Sequence, residues 1–183
     1  MKNLTLFCLL VLGYLSCSND IGEVNAITAN KGTLIEEATD VKILYSDSAS
    51  LKVRITADKM IRHLDKRNMR DEFPDGIFVE FLSESGKPYS WLTADRATRY
   101  DKEKEFIVEG NAKFYNRDKD MLTSTELIWD EETSQLKTNK FVRISQPAKG
   151  DTSYGFGFVA NEEFTRFEIL RKTSAIFNAN NFK

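Results

Sequence analysis

FIVEGNAKFYNRDKDMLTSTELIW, residues 106–129, is the stretch of sequence that decides the fold. Apolar and polar residues alternate on both sides of the charged turn Asn116 to Asp120, with Phe106 and Val108 before it and Leu122 after it. A period of two is the pattern of strands that bury one face. The stretch therefore predicts an antiparallel hairpin.

Three further stretches follow the same plan on either side of this hairpin. Alternating apolar residues flank a polar turn in residues Val41 to Ile55, Ile77 to Tyr100 and Phe141 to Phe158. The apolar stretch Phe164 to Ile169 predicts an edge strand after them. Short strands at this spacing indicate two facing sheets in a sandwich, barrel or jelly roll.

A short signature recurs four times in these units. Its copies are Ile55-Thr56-Ala57-Asp58, Leu92-Thr93-Ala94-Asp95, Leu122-Thr123-Ser124-Thr125-Glu126 and Phe158-Val159-Ala160-Asn161. From one final residue to the next the spacing is 37, 31 and 35 residues, which is too irregular for a strict solenoid or propeller. We interpret the copies as the places where each returning strand ends.

The N-terminal residues have the character of an export signal. Lys2 precedes the apolar stretch Leu4 to Leu15, which is too short for a bilayer span, and Ser16-Cys17 follows. A small residue directly before a cysteine is what bacterial lipoprotein processing requires. We predict a lipoprotein signal peptide over residues 1–16 and a lipid on Cys17; a plain secretory signal and an uncleaved short anchor are the alternatives.

The predicted processed chain divides into a tether and one domain. Residues 17–39 have little periodic apolarity and are predicted to be the lipid anchor and tether, with an extended reach of about 70 Å. A first strand or short helix at Ile27 to Glu37 is the competing interpretation. Residues 40–183 form the predicted domain, and their length suits a single hydrophobic core.

Composition excludes several classes of protein. The formal net charge is −2 and the charges are well mixed, which argues against nucleic-acid binding. Cys8 lies inside the predicted signal, so Cys17 is the last thiol and no intramolecular disulfide is expected.

No set of residues indicates catalysis, a metal site or a cofactor. His63 is the single histidine of the sequence, and we interpret it as a surface residue beside Arg62. The recurring acids Asp58, Asp95 and Glu126 could form the carboxylate pair of a glycoside hydrolase. Their repetition favours a structural role, in which each accepts backbone hydrogen bonds at a strand end.

The aromatic residues leave two interpretations open. The sequence has 13 phenylalanines, and all but Phe7 follow the predicted signal. They fill a plain core if the sheets close, and they line an apolar trough for acyl chains if the sheets splay. Periodicity does not separate the two cases.

Several segments together resemble the lipopolysaccharide-transport β-jellyroll superfamily, and the LptC family is the best match. The segments are Gly110 to Asn116, Met121 to Asp130, Leu92 to Ala97, Thr138 to Ile144 and Gly155 to Phe158, within a similarity that spans Val41 to Phe177. The related LptA family and the outer-membrane member of the superfamily fit the same motifs. Predicted membrane attachment and chain length favour LptC.

The resemblance implies a fold, a function and partners. The fold is an all-β, open, twisted antiparallel β-jellyroll with two facing sheets, whose interior carries the acyl chains of lipopolysaccharide. The implied partners are an LptB2FG-type ABC transporter at the N-terminal edge and an LptA-like or outer-membrane Lpt protein at the C-terminal edge, joined by β-augmentation. Familiar members use a transmembrane helix, whereas Cys17 predicts a lipid anchor here. We expect a periplasmic protein at the inner membrane, with the outer membrane as the alternative.

A set of inward-facing residues follows from this hypothesis. The predicted groove lining is Ile43, Val53, Ile55, Val79, Phe81, Leu92, Phe114, Leu122, Ile144, Phe156 and Phe158. The alternative function is a cell-envelope adhesion or assembly module with a filled β-sandwich and no lipid passage. An envelope hydrolase is the third interpretation.

Overall fold

The computed structural model describes residues 35–47 and 50–176. The secondary-structure elements of these residues are all β-strands. The strands are β1 (Ile35–Asp47), β2 (Ser50–His63), β3 (Arg70–Phe73), β4 (Ile77–Leu82), β5 (Pro88–Ala94), β6 (Arg96–Tyr100), β7 (Glu105–Asn116), β8 (Met121–Asp130), β9 (Gln135–Gln146), β10 (Asp151–Asn161) and β11 (Phe167–Ile176). No helix that could cross a membrane occurs in this part of the chain. The predicted signal and Cys17 lie outside the described residues.

All four predicted hairpins are present, as β1–β2, β4–β5, β7–β8 and β9–β10, and every pairing is antiparallel. The turn after β7 shows why the polar residues lie where they do. The Asn116 side-chain oxygen accepts a hydrogen bond from the Asp120 backbone N–H, 3.1 Å away. An asparagine that satisfies the backbone of its own turn fixes the reversal of the chain.

The strands form two layers of one continuous sheet. One edge of β2 pairs first with β4 and then with β3, while β7 pairs first with β6 and then with β5. The front layer contains β4, β5 and residues 41–47, 50–57, 112–116, 121–124, 141–146 and 151–156. The back layer contains β3, β6 and residues 59–63, 105–109, 126–130, 135–138 and 158–161.

The long strands pass from one layer to the other at irregular positions. The register shifts between Glu109 and Ala112 and again between Phe156 and Phe158. Gly110 and Gly157 have φ angles of 74° and 75° at these points. Bulges of this kind bend a strand, and a glycine adopts a positive φ without the steric cost of a Cβ atom. The predicted jellyroll is therefore confirmed, with its two facing sheets formed by bending one.

The core lies between the layers. Phe81 of the front layer packs edge-on against Trp129 of the back layer, with ring centroids 5.3 Å apart. Phe106, from the back layer, lies 6.1 Å from the same indole. Each fully buried side chain of this size contributes about 1.5 to 3 kcal/mol through removal from water. The contact between Phe81 and Trp129 joins the two layers, and Phe106 supports the indole within the back layer.

The first and last strands of the described residues begin at other positions than the sequence predicts. β1 begins at Ile35, five residues inside the stretch predicted as tether, because residues 35–39 pair with the last part of β2. At the other end, β11 begins at Phe167, and Phe164 lies buried in the preceding turn with a φ of 54°. Pairing with β2, which is distant in the sequence, determines where β1 begins. No local periodicity in the sequence marks this position.

The recurring signature marks the bend rather than the strand ends in β2 and β8, so the interpretation as strand ends is wrong there. At the bend, Asp95 accepts a 2.7 Å hydrogen bond from the Asn111 side-chain amide, and its N–H donates to the Gly110 carbonyl. Glu126 lies 3.7 Å from Lys140. These acids contact the bulged backbone and side chains of neighbouring strands.

Candidate functional site

Seven of the predicted lining residues form one row across the inner face of the front layer. Consecutive cross-strand partners in this interior row are Ile43, Ile55, Val79, Leu92, Phe114, Leu122 and Ile144. Directly paired residues point to the same face of a sheet. The row therefore has an apolar side chain on each of seven neighbouring strands, which are β1, β2, β4, β5, β7, β8 and β9.

Three more predicted residues also face inward. Val53 and Phe81 belong to the next row, beside Tyr45, and are 3% and 0% exposed. Phe158 comes from the back layer and is fully buried. The structure brings these ten residues to the same interior, although six strands separate the first from the last in the sheet order.

The prediction for Phe156 is wrong. This ring is 43% exposed and packs against Phe141 on the outside of the sheet, with centroids 5.2 Å apart. Sequence alternation places residues 156 and 158 on the same face. The bulge at Gly157 separates them, so that Phe158 points inward and Phe156 points outward.

The back wall of the interior was missed by the sequence analysis. It is formed by Phe73, Phe106, Val108, Leu127, Trp129, Leu136 and Phe164. In β7 the alternation of Phe106 and Val108 continues beyond the bend to Phe114, so these two could have been included, whereas in β8 the buried positions change parity between Leu122 and Leu127. Phe164 lies in a turn without such a pattern.

The interior is filled by its own side chains. Phe114 and Phe164 have ring centroids 4.8 Å apart, and Phe158 lies 6.0 Å from Phe164. All three rings are at most 1% exposed. An acyl chain between the layers therefore requires that these rings move apart.

A cleft of about 720 Å³ opens at one end of the interior. Its floor is apolar and aromatic, with Tyr45, Val53, Leu82, Tyr89 and Trp129. Its rim carries the carboxylates Asp47, Glu84, Glu131, Glu132, Glu162 and Glu163, and Lys52 is the lysine that lines it. This mouth cleft lies between the turns of both layers.

Glu162 joins the two layers at the mouth cleft. Its carboxylate accepts hydrogen bonds from Trp129 Nε1 at 2.8 Å and from the Tyr89 hydroxyl at 3.3 Å. Its carbonyl oxygen accepts a further bond from Ser90 Oγ. Burial raises the pKa of Glu162, against the lowering effect of the Trp129 and Tyr89 hydrogen bonds.

A second contact across the mouth joins Tyr45 to the back layer. The Arg99 guanidinium lies 5.3 Å above the Tyr45 ring, and its Nε is 2.7 Å from Glu131 Oε1. Burial raises the pKa of Tyr45 to about 12, so its hydroxyl stays protonated at neutral pH. A cation over an aromatic face adds an attraction of about 0.5 to 2 kcal/mol.

The residues considered for chemistry lie away from the interior row. His63 Nε2 is 3.1 Å from Glu72 Oε2 at the end of β2. Asp58 is exposed, and Asp95 bonds to Asn111 at the bend. In residues 35–47 and 50–176, no group of three or more His, Cys, Asp or Glu residues is placed to hold a metal ion.

The two outermost strands each leave one edge without a partner in the described part of the chain. β1 pairs with β2, and β11 pairs with β10. β1 has 13 residues and β11 has 10, so both edges are long. Unpaired N–H and C=O groups on such an edge are a template for another strand.

Together these features define an open-ended antiparallel β-jellyroll with an apolar interior between two layers. The sequence model of the family described as "Lipopolysaccharide-assembly, LptC-related" matches residues 4–178. The protein belongs to this family. Its members are transport proteins of the periplasm, and this chain is a periplasmic component of lipopolysaccharide transport.

Other comparisons add little to the family match. No curated protein matches the sequence. Among solved structures, the chain is similar to LptH of Pseudomonas aeruginosa, described as the LptA homologous periplasmic component of the lipopolysaccharide transport device. The two share 12% sequence identity over 76% of this chain and 83% of that one, with a TM-score of 0.37.

Proposed function

We propose that this protein accepts lipopolysaccharide from an inner-membrane ABC transporter and passes it toward the outer membrane with its acyl chains held between the two layers. The observation that supports this proposal is the interior row, because it continues without a polar side chain from β1 to β9. An acyl chain crossing these strands meets apolar contacts throughout. The protein supplies a path, and the transporter supplies the energy.

The filled interior sets a condition on this function. The rings of Phe81, Phe114 and Phe158 contact other rings where acyl chains would lie. Lipid must therefore replace ring-to-ring contacts with ring-to-chain contacts, which are similar in strength for apolar groups. The mouth cleft is the place where the interior is already open to solvent.

The proposed partners add strands to the two open edges. We assign the edge of β1 to the LptB2FG-type transporter and the edge of β11 to an LptA-like or outer-membrane Lpt protein. Main-chain hydrogen bonds from a donated strand would extend the sheet at each end. The interior row would then continue into the neighbouring proteins.

We propose lipidation of Cys17 as the anchor, at the inner membrane. A lipid there would leave residues 18–34 between the bilayer and β1, which reach at most about 60 Å when extended. Cys17→Ser is expected to release the protein from the membrane fraction into the soluble fraction of the periplasm. Retention of the variant in membranes would contradict the lipid anchor without affecting the interior.

Photo-crosslinking in cells tests the lipid path. A benzophenone amino acid at Leu92, Phe114 or Leu122 is expected to give adducts with lipopolysaccharide, because these side chains belong to the interior row. Ile107 and Ile128 pair with each other on the outside of the back layer and serve as controls. Adducts at the controls and none at the interior positions would contradict the proposal.

The same reagent tests the partners. Leu44 of β1 is 54% exposed, and Leu170 of β11 is 51% exposed. We expect adducts with the transporter from Leu44 and adducts with the next bridge protein from Leu170. The reverse pattern would show that the protein is oriented in the opposite direction.

The filled core favours one alternative, an assembly module of the cell envelope that carries no lipid. Both functions predict crosslinks from the edges. They differ at Phe114 and Leu122, which would give no lipopolysaccharide adduct in the alternative.

A further inference from the structure

The outer face of the front layer carries an unusual set of side chains. Two cross-strand rows point away from the core: one includes Lys113, Thr123, Arg143 and Tyr154, and the next includes Trp91, Tyr115 and Met121. Phe141 and Phe156 pair beside them. We call this surface the outer aromatic face.

The aromatic side chains form two clusters on this face. Trp91 stacks on Tyr115, with centroids 5.4 Å apart and planes 17° from parallel. Phe141 stacks on Tyr154 and meets Phe156 edge-on. Phe141 and Phe156 are 46% and 43% exposed, although such large apolar side chains are usually buried. Three strand spacings, about 14 Å, separate Tyr115 from Tyr154, so the clusters share a broad surface. Beside Trp91 and Tyr115 this surface has an open hollow of about 490 Å³.

The charges on the outer aromatic face are almost all positive. Its outward positions hold Lys42, Arg54, Lys113, Arg143 and Arg171, against the single carboxylate Glu80. Glu80 is bound by Arg54 Nη1 at 2.8 Å. Among the ion pairs of the described residues, none includes Lys113, Arg143 or Arg171.

The outside of the back layer is different. There Lys137 lies 3.0 Å from both Glu105 and Asp130, and Arg96 lies 3.2 Å from Glu109. Those cations are neutralised by neighbouring carboxylates. On the outer aromatic face Arg54 is paired with Glu80, whereas Lys113, Arg143 and Arg171 remain available for an anionic partner.

We propose that the outer aromatic face docks on the surface of a bilayer that contains anionic phospholipids. Tryptophan and tyrosine favour the level of the lipid head groups, phenylalanine favours the acyl boundary, and lysine and arginine are attracted to anionic lipids. A broad sheet face fits a planar surface better than a small ligand. The proposal holds whether or not the interior carries lipid.

The two tryptophans of the sequence make the proposal testable, because Trp91 lies on this face and Trp129 is buried in the core. The full chain with Cys17→Ser and Trp129→Phe is mixed with phosphatidylcholine vesicles containing about 30% phosphatidylglycerol brominated on its acyl chains, a fraction that gives a strongly anionic surface. We expect these vesicles to quench Trp91 fluorescence. The Trp91→Phe chain, which keeps Trp129, should not be quenched, and neither chain should be quenched by vesicles of brominated phosphatidylcholine alone.

A charge-reversal pair tests the role of the cations. Lys113→Glu with Arg143→Glu is expected to weaken vesicle binding by about tenfold or more, given the attraction of each cation to an anionic surface. Lys66→Glu with Lys102→Glu makes the same change in net charge at exposed loop positions and should have a smaller effect. Cosedimentation of the Trp129-containing chain with the same vesicles gives this comparison even if Trp129→Phe does not fold.

Two results would overturn the proposal. One is the absence of Trp91 quenching and of cosedimentation with anionic vesicles. The other is an equal loss of binding in both charge-reversal variants, which would indicate a general effect of net charge. Self-association that Phe156→Ser abolishes, without vesicle binding, would assign the face to a second copy of the chain.

Discussion

At the scale of single residues, the bend of β7 depends on a contact that a side chain at position 110 would prevent. A Cβ atom on Gly110 would lie 2.6 Å from Asp95 Oδ2, and the backbone there has a φ of 74°. Asp95 cannot move away without losing its 2.7 Å bond to Asn111. Gly110 is therefore required for two reasons: its backbone has a positive φ, and a Cβ atom would clash with Asp95.

Gly110→Ala tests both requirements when it is compared with Gly86→Ala. Gly86 has nearly the same φ, 73°, but nothing within 4 Å of the added Cβ. We expect Gly86→Ala to lower the free energy of unfolding by about 1 to 2 kcal/mol and Gly110→Ala by about 1 to 2 kcal/mol more. Urea denaturation measures both. Equal losses would show that Asp95 gives way freely.

Glu162 makes stability depend on pH in a definite direction. Burial raises its pKa above the ordinary value of 4.5, so the folded state favours the protonated acid. Its contribution to stability is therefore fully present below pH 4.5 and is lost as the pH rises through the raised pKa.

Glu162→Gln removes this dependence, because the amide does not ionise. Between about pH 4 and pH 8 we expect the free energy of unfolding of the variant to rise relative to wild type. Urea denaturation at several pH values measures the difference. Glu163→Gln keeps the ionisable Glu162 and should keep its pH dependence in a weaker form, because the Glu163 charge contributes to the raised pKa of Glu162. A difference between Glu162→Gln and wild type that does not change with pH would contradict the proposed cause.

At the scale of strands, β10 shows that one bulge divides a strand into two environments. Phe156 and Phe158 are two residues apart, yet the first is 43% exposed and the second is fully buried. The glycine between them carries the positive φ that turns the strand. The faces of the strand before and after the bend must therefore be assigned separately.

Alanine substitution compares the two environments on the same strand. Phe158→Ala is expected to lower the free energy of unfolding by about 3 to 5 kcal/mol, because it leaves a cavity in the interior. Phe156→Ala is expected to cost less than about 1 kcal/mol. Thermal and urea denaturation give both values. Similar losses at the two positions would mean that Phe156 supports the fold from outside.

The strands that bury one face could be predicted from the sequence, and the bends between them could not. Alternation found the β7–β8 hairpin and the seven residues of the interior row, because a half-buried strand fixes its own period. It missed β3, whose four residues include Arg70, Asp71 and Glu72 and give no apolar alternation. It also failed for Phe156 and Phe164, where backbone geometry at Gly157 and in a turn decides the direction of the ring.

At the scale of the whole molecule, three surfaces of the jellyroll have separate proposed roles. The interior would hold acyl chains, the edges of β1 and β11 would bind neighbouring strands, and the outer aromatic face would contact a bilayer. The layers meet through the interior rings and, at the mouth cleft, through Glu162 and Arg99. Transport of lipid requires these contacts to open while the sheet remains continuous at the bend.

Acyl chains are proposed to enter between the layers, and a distance measured across the mouth cleft reports such entry. Glu84 and Glu132 are exposed residues on turns of the front and back layers, and both line the cleft. Spin labels on Glu84→Cys and Glu132→Cys, with Cys8→Ser and Cys17→Ser, report this distance by electron double resonance. Labels on Glu84→Cys and Asp118→Cys, both in front-layer turns, serve as the control.

On addition of lipopolysaccharide we expect the distance between the layers to increase by about 4 Å, one contact distance between carbon atoms, while the control distance stays the same. Lipopolysaccharide that binds without changing the distance across the mouth would contradict the account.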